Sequence, residues 1–471
     1  MQVLFLLSAF LLPAFLFAQG VAAGGRHSLA ICSDSTVLAW GYNGFGQLGD
    51  GTLLEKHTAV PVVGLSGVAQ VAGGLFHSLF VKKDGTVWAC GRNTLGPLGN
   101  GTTSNSSTVV QVSGLSEIRQ AAGGGEHSLF LKNDSTVWAC GANASGQLGD
   151  GTNMHRSTPV PVVGLTGIVQ VAAGAEFSLF LKNDGTVWAC GHNGYGQYGN
   201  GANMSSKVPV PISGLTNIVW VSAGEWHSLF VKSDGTVLSS GRNQFGQLGD
   251  GSTLDKNLAA PIGALSGVAR AEAGGIHSVF VRADGSVWAC GLNSGGNNDG
   301  QLGDGSTLDK HTPVQVQSSW SNQKIIHAEA TREHSLFVTE NGEVWACGRN
   351  NYGQLGYGVF TTANALVPIS SSTVCPTLHV STTAPGPEPG HCVISPNPFS
   401  EQTTLHLGSG MDRVNLVVYN SAGQQVKQMD NVAGPSVVLY RDGLPDGLYF
   451  VQVRQKNKKT EVHKLVVAAK N

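Results

Sequence analysis

The sequence predicts an all-β chain: a seven-bladed β-propeller followed by a small C-terminal β-sandwich. Three observations point there. His27, His77, His127, Phe177, His227, His277 and His334 share one slot in seven copies of a stretch that recurs every fifty residues, the last interval being fifty-seven. A fixed period of that length belongs to solenoids, propellers and arrays. Each copy carries four short β-prone runs separated by turn residues, the number that builds a propeller blade. No segment keeps a 3.6-residue apolar period, which removes helical repeats. A solenoid would need capping repeats at its ends, and neither the first nor the last copy has that character.

Composition narrows the class. Gly is 65 of 471 residues and charged residues are 12%, about twice and half of ordinary usage. Glycine at that level serves turns in a folded object. A formal net charge of −2 argues against a nucleic-acid partner, which calls for a basic patch. The densest basic cluster, Lys456 to Lys459, reads as a solvated turn.

Taken from the start, Val3 to Ala18 is nearly all apolar and ends in Phe17-Ala18-Gln19. Residues 1–18 read as a secretory signal peptide cleaved after Ala18, although no Lys or Arg precedes the apolar run. Sixteen residues are short for a membrane span, so the mature chain is expected to carry no integral span.

The repeats fill residues 19–372. In the second copy, Ser78-Leu-Phe-Val-Lys-Lys83 is β-prone, Asp84-Gly85 is a turn signal, and Thr86-Val-Trp-Ala-Cys90 returns. Asp-Gly suits a two-residue type I′ hairpin, and Asp184-Gly185, Asp234-Gly235, Asp284-Gly285 and Asn341-Gly342 repeat it. Asp34-Ser35 and Asp134-Ser135 lack the glycine, so strain is expected there. Apolar character on successive residues of both strands implies burial on both faces. Two further runs, such as Pro161 to Leu165 and Ile168 to Ala172, complete a blade. Because Val21-Ala-Ala-Gly24 has no Pro-Val strand before it and Val367-Pro-Ile369 stands at the end, one blade is expected to be built from both ends of the domain.

The two-residue turn sets a register in which Lys83 faces Thr86, Phe80 faces Ala89 and His77 comes opposite Arg92. The residue before each His and the loop after each Cys-Gly then share one open end. These positions differ most between copies. Before the His slot stand Arg26, Phe76, Glu126, Glu176, Trp226, Ile276 and Glu333; in the loops stand Tyr42, Phe45, Arg92, Leu95, His192, Tyr195, Arg242, Phe245, Arg349 and Tyr352. Tyr, Trp, Phe and Arg are the anchor types of interfaces, whereas drift in unconstrained loops leaves mostly small polar residues. The candidate binding rim is therefore Tyr42, Phe45, Phe76, Arg92, Leu95, Glu126, His192, Tyr195, Trp226, Arg242, Phe245, Arg349 and Tyr352.

Other motifs have plainer readings. Histidines on different blades cannot converge at the roughly 2 Å bonds of one zinc; buried imidazoles bonded to backbone are expected instead. Asp50, Asp150, Asp250 and Asp304 offer one carboxylate per loop, far short of a calcium shell, and fit turn chemistry. The Gly-rich loops lack the Gly-Lys-Ser/Thr and helix of a phosphate cradle. Cys90, Cys140, Cys190, Cys290 and Cys347 share a strand slot with Trp40 and Ser240, a packing position. Cys32 has no explanation in the sequence. Cys375 and Cys392 flank a Pro-rich segment and form a possible disulfide. No Gly-x-Ser-x-Gly, His-Glu-x-x-His or isolated carboxylate pair is found, so no catalytic residue, metal or cofactor is expected.

The motifs His-Ser-Leu-Phe, Asp-Gly-Thr-Val-Trp-Ala-Cys-Gly and Asn-x-x-Gly-Gln-Leu-Gly-Asp-Gly-Thr resemble the repeat of the regulator of chromosome condensation family, over residues 21 to about 370. The resemblance implies a seven-bladed propeller. It leaves function open, because that fold serves nucleotide exchange on a small GTPase, protein inhibition and general binding. A nucleus-resident exchange factor suits an exported chain poorly, and no interblade loop is long enough for its nucleotide-displacing wedge. The bacterial propeller-type β-lactamase inhibitor protein is the nearer analogue in architecture and compartment.

Residues 373–392 are a Pro/Ser/Thr-rich linker. Beyond them, Ser395-Pro-Asn-Pro-Phe399, Val418 to Gln424, Gly443 to Val451 and Lys464-Leu-Val-Val467 resemble the C-terminal sorting domain of type IX secretion cargo, over residues 393–471. That resemblance implies a Bacteroidetes-type cell, the type IX machinery as partner, and delivery to the medium or outer cell surface. The expected function is a secreted or surface binding module for a protein or glycan. The alternatives are a secreted inhibitor of an extracellular enzyme and, from another class, a secreted hydrolase.

Overall fold

The computed structural model describes residues 20–369 other than 264, 295–298 and 318–322, and then 393–395, 402–406, 414–420, 424–432, 436–454 and 461–467. The expected signal peptide, the linker and the Cys375–Cys392 pair lie outside these residues. The chain divides into two compact units, Met1–Val380 and Ser381–Asn471.

In the first unit, seven four-stranded antiparallel sheets follow one another along the chain, each built from four consecutive strands. They are the blades of a propeller. Blade 2 is typical: Val68–Gly73 innermost, then His77–Lys82, Val87–Gly91 and, outermost, Ser106–Gln111. The two middle strands are almost wholly buried, whereas the outermost alternates between half-buried and exposed positions. Apolar cores lie between blades. Leu29 and Val37 of blade 1 share one cluster with Val71 and Phe80 of blade 2, which explains why both faces of the middle strands are apolar.

Among the described residues no blade is shared between the two ends of the domain, contrary to expectation. Val21–Ala23, only three residues, is already the innermost strand of blade 1, and Ala363–Pro368 is the outermost strand of blade 7. Lateral contacts close the ring instead. Trp40 Nε1 donates to Gln354 O at 2.8 Å, Gly358 N donates to His57 O at 3.0 Å, and Val21, Trp40, Leu336 and Leu355 share one core.

The hairpin turn also departs from expectation. Gly85 N donates to Lys82 O and Lys82 N to Thr86 O, both at 2.9 Å. The loop is thus three residues, Lys83-Asp84-Gly85, with positive φ only at Gly85 (77°). This is a type I turn closed by a glycine bulge. Asp84 favours it by accepting from Thr86 N and Oγ1 at 2.9 and 2.6 Å. The pairing therefore shifts by one residue: Phe80 faces Trp88 and His77 faces Gly91. The strain expected at the two glycine-free turns is present, with Ser35 and Ser135 at φ 65° and 66°.

The second unit pairs a three-stranded sheet (Val393–Ser395, Gln402–His406, Ser436–Tyr440) with a four-stranded one (Val414–Asn420, Gln425–Val432, Gly447–Arg454, Glu461–Val467). Leu405 and Leu439 from the first sheet pack with Leu416, Val451 and Leu465 from the second in one core, the arrangement of a sandwich.

Candidate functional site

The rim loops are held by a buried asparagine at each blade. Asn43 Nδ2 donates to Asp50 Oδ1, Thr52 O and Leu54 O, each at 3.1 Å, while its Oδ1 accepts from Leu48 N at 3.0 Å. Asn93, Asn143, Asn193, Asn243, Asn293 and Asn350 are equally buried in the same slot. Asp50 completes the clasp. Burial raises its pKa, but the bonds from Thr52, Lys56 and Asn43 outweigh that and hold the carboxyl below its ordinary value. Asp50, Asp150 and Asp250 are thus turn and ion-pair residues, and Asp304 has the same partners through Ser306 and Lys310. Among the described residues, no group of three or more His, Cys, Asp or Glu is arranged to hold a metal ion.

The residue before the His slot and the loop after the third strand do meet at one end, as Arg92 N donates to Phe76 O and Tyr42 N to Arg26 O, both at 2.9 Å. There the side chains gather into two clusters. In the first, spanning blades 7, 1 and 2, the Tyr42 ring lies 5.1 Å from Tyr352 and 6.1 Å from both Phe45 and Phe76, edge to face. Arg26 sits over Tyr352 at 5.1 Å and Arg92 over Phe45 at 5.4 Å. Glu333 pairs with Arg349 at 3.0 Å, and Glu126 pairs with Arg92. In the second, Trp226 lies 5.3 Å from His192 and 5.6 Å from Tyr195, with Arg242 5.3 Å over Tyr195. Leu95 and Phe245 are half-buried in the Phe45 slot of their own blades. Arg26 and Glu333, which tie blade 1 to blade 7, belong to the first cluster although the candidate set omits them.

Beneath the rim, the histidines form a chain around the ring. His27 Nε2 meets Ser78 Oγ of the next blade at 2.8 Å, and the pattern repeats from His77, His127, His227, His277 and His334, the last reaching Ser28 at 2.9 Å. Ser78 Oγ donates onward to Gln47 O at 2.7 Å, so it must accept from an Nε2–H. The partner is thus a serine hydroxyl, where backbone was expected. Burial holds these imidazoles neutral, lowering their pKa to about 3, or about 4 for His77. Phe177 fills the same slot, wholly buried. The strand cysteines are free and buried, with thiol pKa values raised by burial.

The innermost strands surround an axial cavity of about 190 Å³. Such strands are sheet edges, and glutamine side chains satisfy them: Gln70 Nε2 donates to Ala121 O at 2.9 Å and Gln70 Oε1 accepts from Ala121 N at 2.8 Å. Gln120 and Gln170 repeat this with Val171 and Val221. In blades 5 to 7 the same slot holds Trp220, Arg270 and His327. Two residues on, the wall is Ala22, Ala72, Ala122 and Ala172 in blades 1 to 4, then Ser222, Glu272 and Glu329. Ser222 Oγ donates to Glu272 Oε2 at 3.1 Å, Arg270 meets His327 Nδ1 at 3.1 Å, and His327 Nε2 meets Glu329 Oε1 at 3.0 Å. Burial and the neighbouring Glu329 push Glu272 well above the usual carboxylate range; burial pushes Glu329 up to about 8 against the pull of Arg270. Glu272 and Glu329 thus lie within reach of each other's charge in a network with Ser222, Arg270 and His327. Aligning the copies on the alanine slot is the signal that reveals it.

Residues 106–393 match the model of the RCC1-like domain, and shorter RCC1 repeat matches cover 19–47, 34–81 and 68–96. The chain belongs to the RCC1-like domain family. Residues 393–468 match the secretion system C-terminal sorting domain, which marks this RCC1-like protein for the type IX machinery, secretion and the outer cell surface of a Bacteroidetes cell. The chain is 44% identical over 64 residues to the ultraviolet-B receptor UVR8 of Arabidopsis thaliana, covering 14% of each chain. It is 40% identical over 78 residues to alsin of Homo sapiens, covering 16% of this chain and 5% of alsin. These matches span a small fraction of the relatives' length. Human WBSCR16 superposes with a TM-score of 0.64 at 22% identity, over 71% of this chain and 94% of that one. Yeast RCC1 (Prp20), solved bound to Kap60, gives 0.63 at 22% identity, over 71% and 84%. That likeness is one of fold. The family is known mainly for binding and regulation.

Proposed function

We propose that this RCC1-like protein is a binding module, not an enzyme, and that the rim end of its propeller takes a protein or glycan partner outside the cell. One observation supports the reading above others. Two aromatic–arginine clusters, Tyr352–Tyr42–Phe45–Phe76 and His192–Tyr195–Trp226, stand at the same end of a ring whose scaffold residues barely vary. Edge-to-face rings hold one another in place, so a partner meets anchors that lose little entropy on binding. The half-buried arginines over these rings add planar donors for carboxylate or hydroxyl groups.

Capture with the mature chain against host and bacterial surface extracts identifies the partner, and an alanine scan then locates the site. Phe76→Ala, Trp226→Ala and Tyr352→Ala should each weaken binding by about 2 kcal/mol or more. Lys83→Ala and Thr186→Ala, at the hairpin turns of the opposite end, should leave it unchanged. Equal losses at the two ends would refute the rim.

A further inference from the structure

The alanine slot of the innermost strands is where the repeat breaks its own rule, and it does so inside the axial cavity. Four consecutive blades carry alanine there, Ala22 and Ala72 buried in the interblade cores and Ala122 and Ala172 half-buried, whereas blades 6 and 7 carry carboxylates. A scaffold has no use for two carboxylates in a wall that alanine completes four times. Each is partly served from within the protein, Glu272 by Ser222 Oγ and the Trp220 indole and Glu329 Oε1 by His327. Glu272 Oε1, however, is fully buried with no hydrogen-bond partner, a condition that ordinarily costs a folded protein free energy.

We propose that the axial cavity is a binding site for a small alkylammonium ligand, its ammonium group on Glu272 and Glu329 and its methylenes against Ala122 and Ala172 of blades 3 and 4. The cavity, about 190 Å³, has room for a ligand of that kind and is amphipathic in the same sense. An ammonium carries three donors and no acceptor, which matches a wall sector of carboxylate oxygens. A bare divalent ion fits worse, since calcium takes six to eight oxygens and no metal-binding group of side chains is found among the described residues. Arg270, held over Trp220 at 5.1 Å and bonded to His327, leaves the pair with net negative charge when both carboxyls ionise. Burial has raised both carboxyls, and a bound cation relieves that penalty. This site is independent of the proposed rim interface.

The test is calorimetric titration of the full-length protein with n-butylammonium, with n-butanol and n-butyrate as the neutral and anionic isosteres. Saturable binding of n-butylammonium, at least about tenfold tighter than n-butanol and absent for n-butyrate, is expected. Glu272→Gln and Glu329→Gln, which keep shape and remove charge, should each weaken it about tenfold or more. Equal binding of n-butanol would overturn the proposal in favour of a merely apolar cavity. Absence of saturable n-butylammonium binding at millimolar concentration would overturn it too, as would unchanged affinity in both variants. The isostere comparison uses the unaltered chain and stands even if a variant fails to fold.

Discussion

Six imidazoles buried neutral in a serine-linked ring make this protein acid-sensitive at the level of single residues. Their pKa values are lowered from 6.5 to about 3 or 4 in the folded state. The unfolded chain therefore binds protons first, and stability present above about pH 6.5 is lost as pH falls toward the folded values. Each histidine contributes up to about 1.4 kcal/mol per pH unit over that window. Urea unfolding should report a steep loss of stability between about pH 6.5 and pH 4, before most carboxylates protonate. His127→Ala should also cost about 1–3 kcal/mol at neutral pH, because Ser178 and the emptied slot lose their partner. His127→Phe should cost less and flatten the pH profile, since Phe177 already fills this slot in blade 4. Glu329 acts with opposite sign. Its folded pKa of about 8 gives stability that is present below its unfolded value and lost as pH rises through about 8, so Glu329→Gln should stabilise the protein at alkaline pH. A flat acid profile, or an alkaline loss for that variant, would contradict these burial arguments.

At the scale of the element, the hairpin separates what the sequence makes legible from what it hides. Period, strand number and burial follow from residues that repeat, so the blade was readable. The register was not, because Asp-Gly serves two-residue and three-residue turns alike, and only the Asp84–Thr86 bonds select the longer one. The open end survived that error, since a one-residue slip moves pairings without exchanging the ends of a strand. The carboxylate pair was missed for another reason: Glu272 and Glu329 look unremarkable within their own copies and stand out only against Ala22, Ala72, Ala122 and Ala172. The turn makes its own prediction. Ser135 holds φ 66° where other copies use glycine, so Ser135→Gly should stabilise by about 1 kcal/mol. Gly85→Ala should destabilise by at least as much, since its Cβ would fall 2.9 Å from Glu117 Cα. Thermal unfolding of the two variants checks both signs.

The whole molecule poses the problem of closing a ring and delivering it. Delivery is assigned to residues 393–468, and removing 393–471 should leave a folded propeller trapped inside the outer membrane. Fractionation of the native host decides this, and unchanged surface or medium delivery would refute it. Closure is less obvious, because among the described residues no strand is shared between the ends of the domain and lateral contacts join blades 7 and 1. This seam lacks the chain continuity of the other blade interfaces. Cys32, unexplained in the sequence, lies in blade 1 and is disulfide-bonded. A disulfide restricts the unfolded chain, typically by about 2–4 kcal/mol. Peptide mapping without reductant should recover Cys32 in a disulfide-linked peptide, and Cys32→Ala should lower the unfolding midpoint as reduction does. Recovery of Cys32 as a free thiol, or an unchanged midpoint in the variant, would refute this reading.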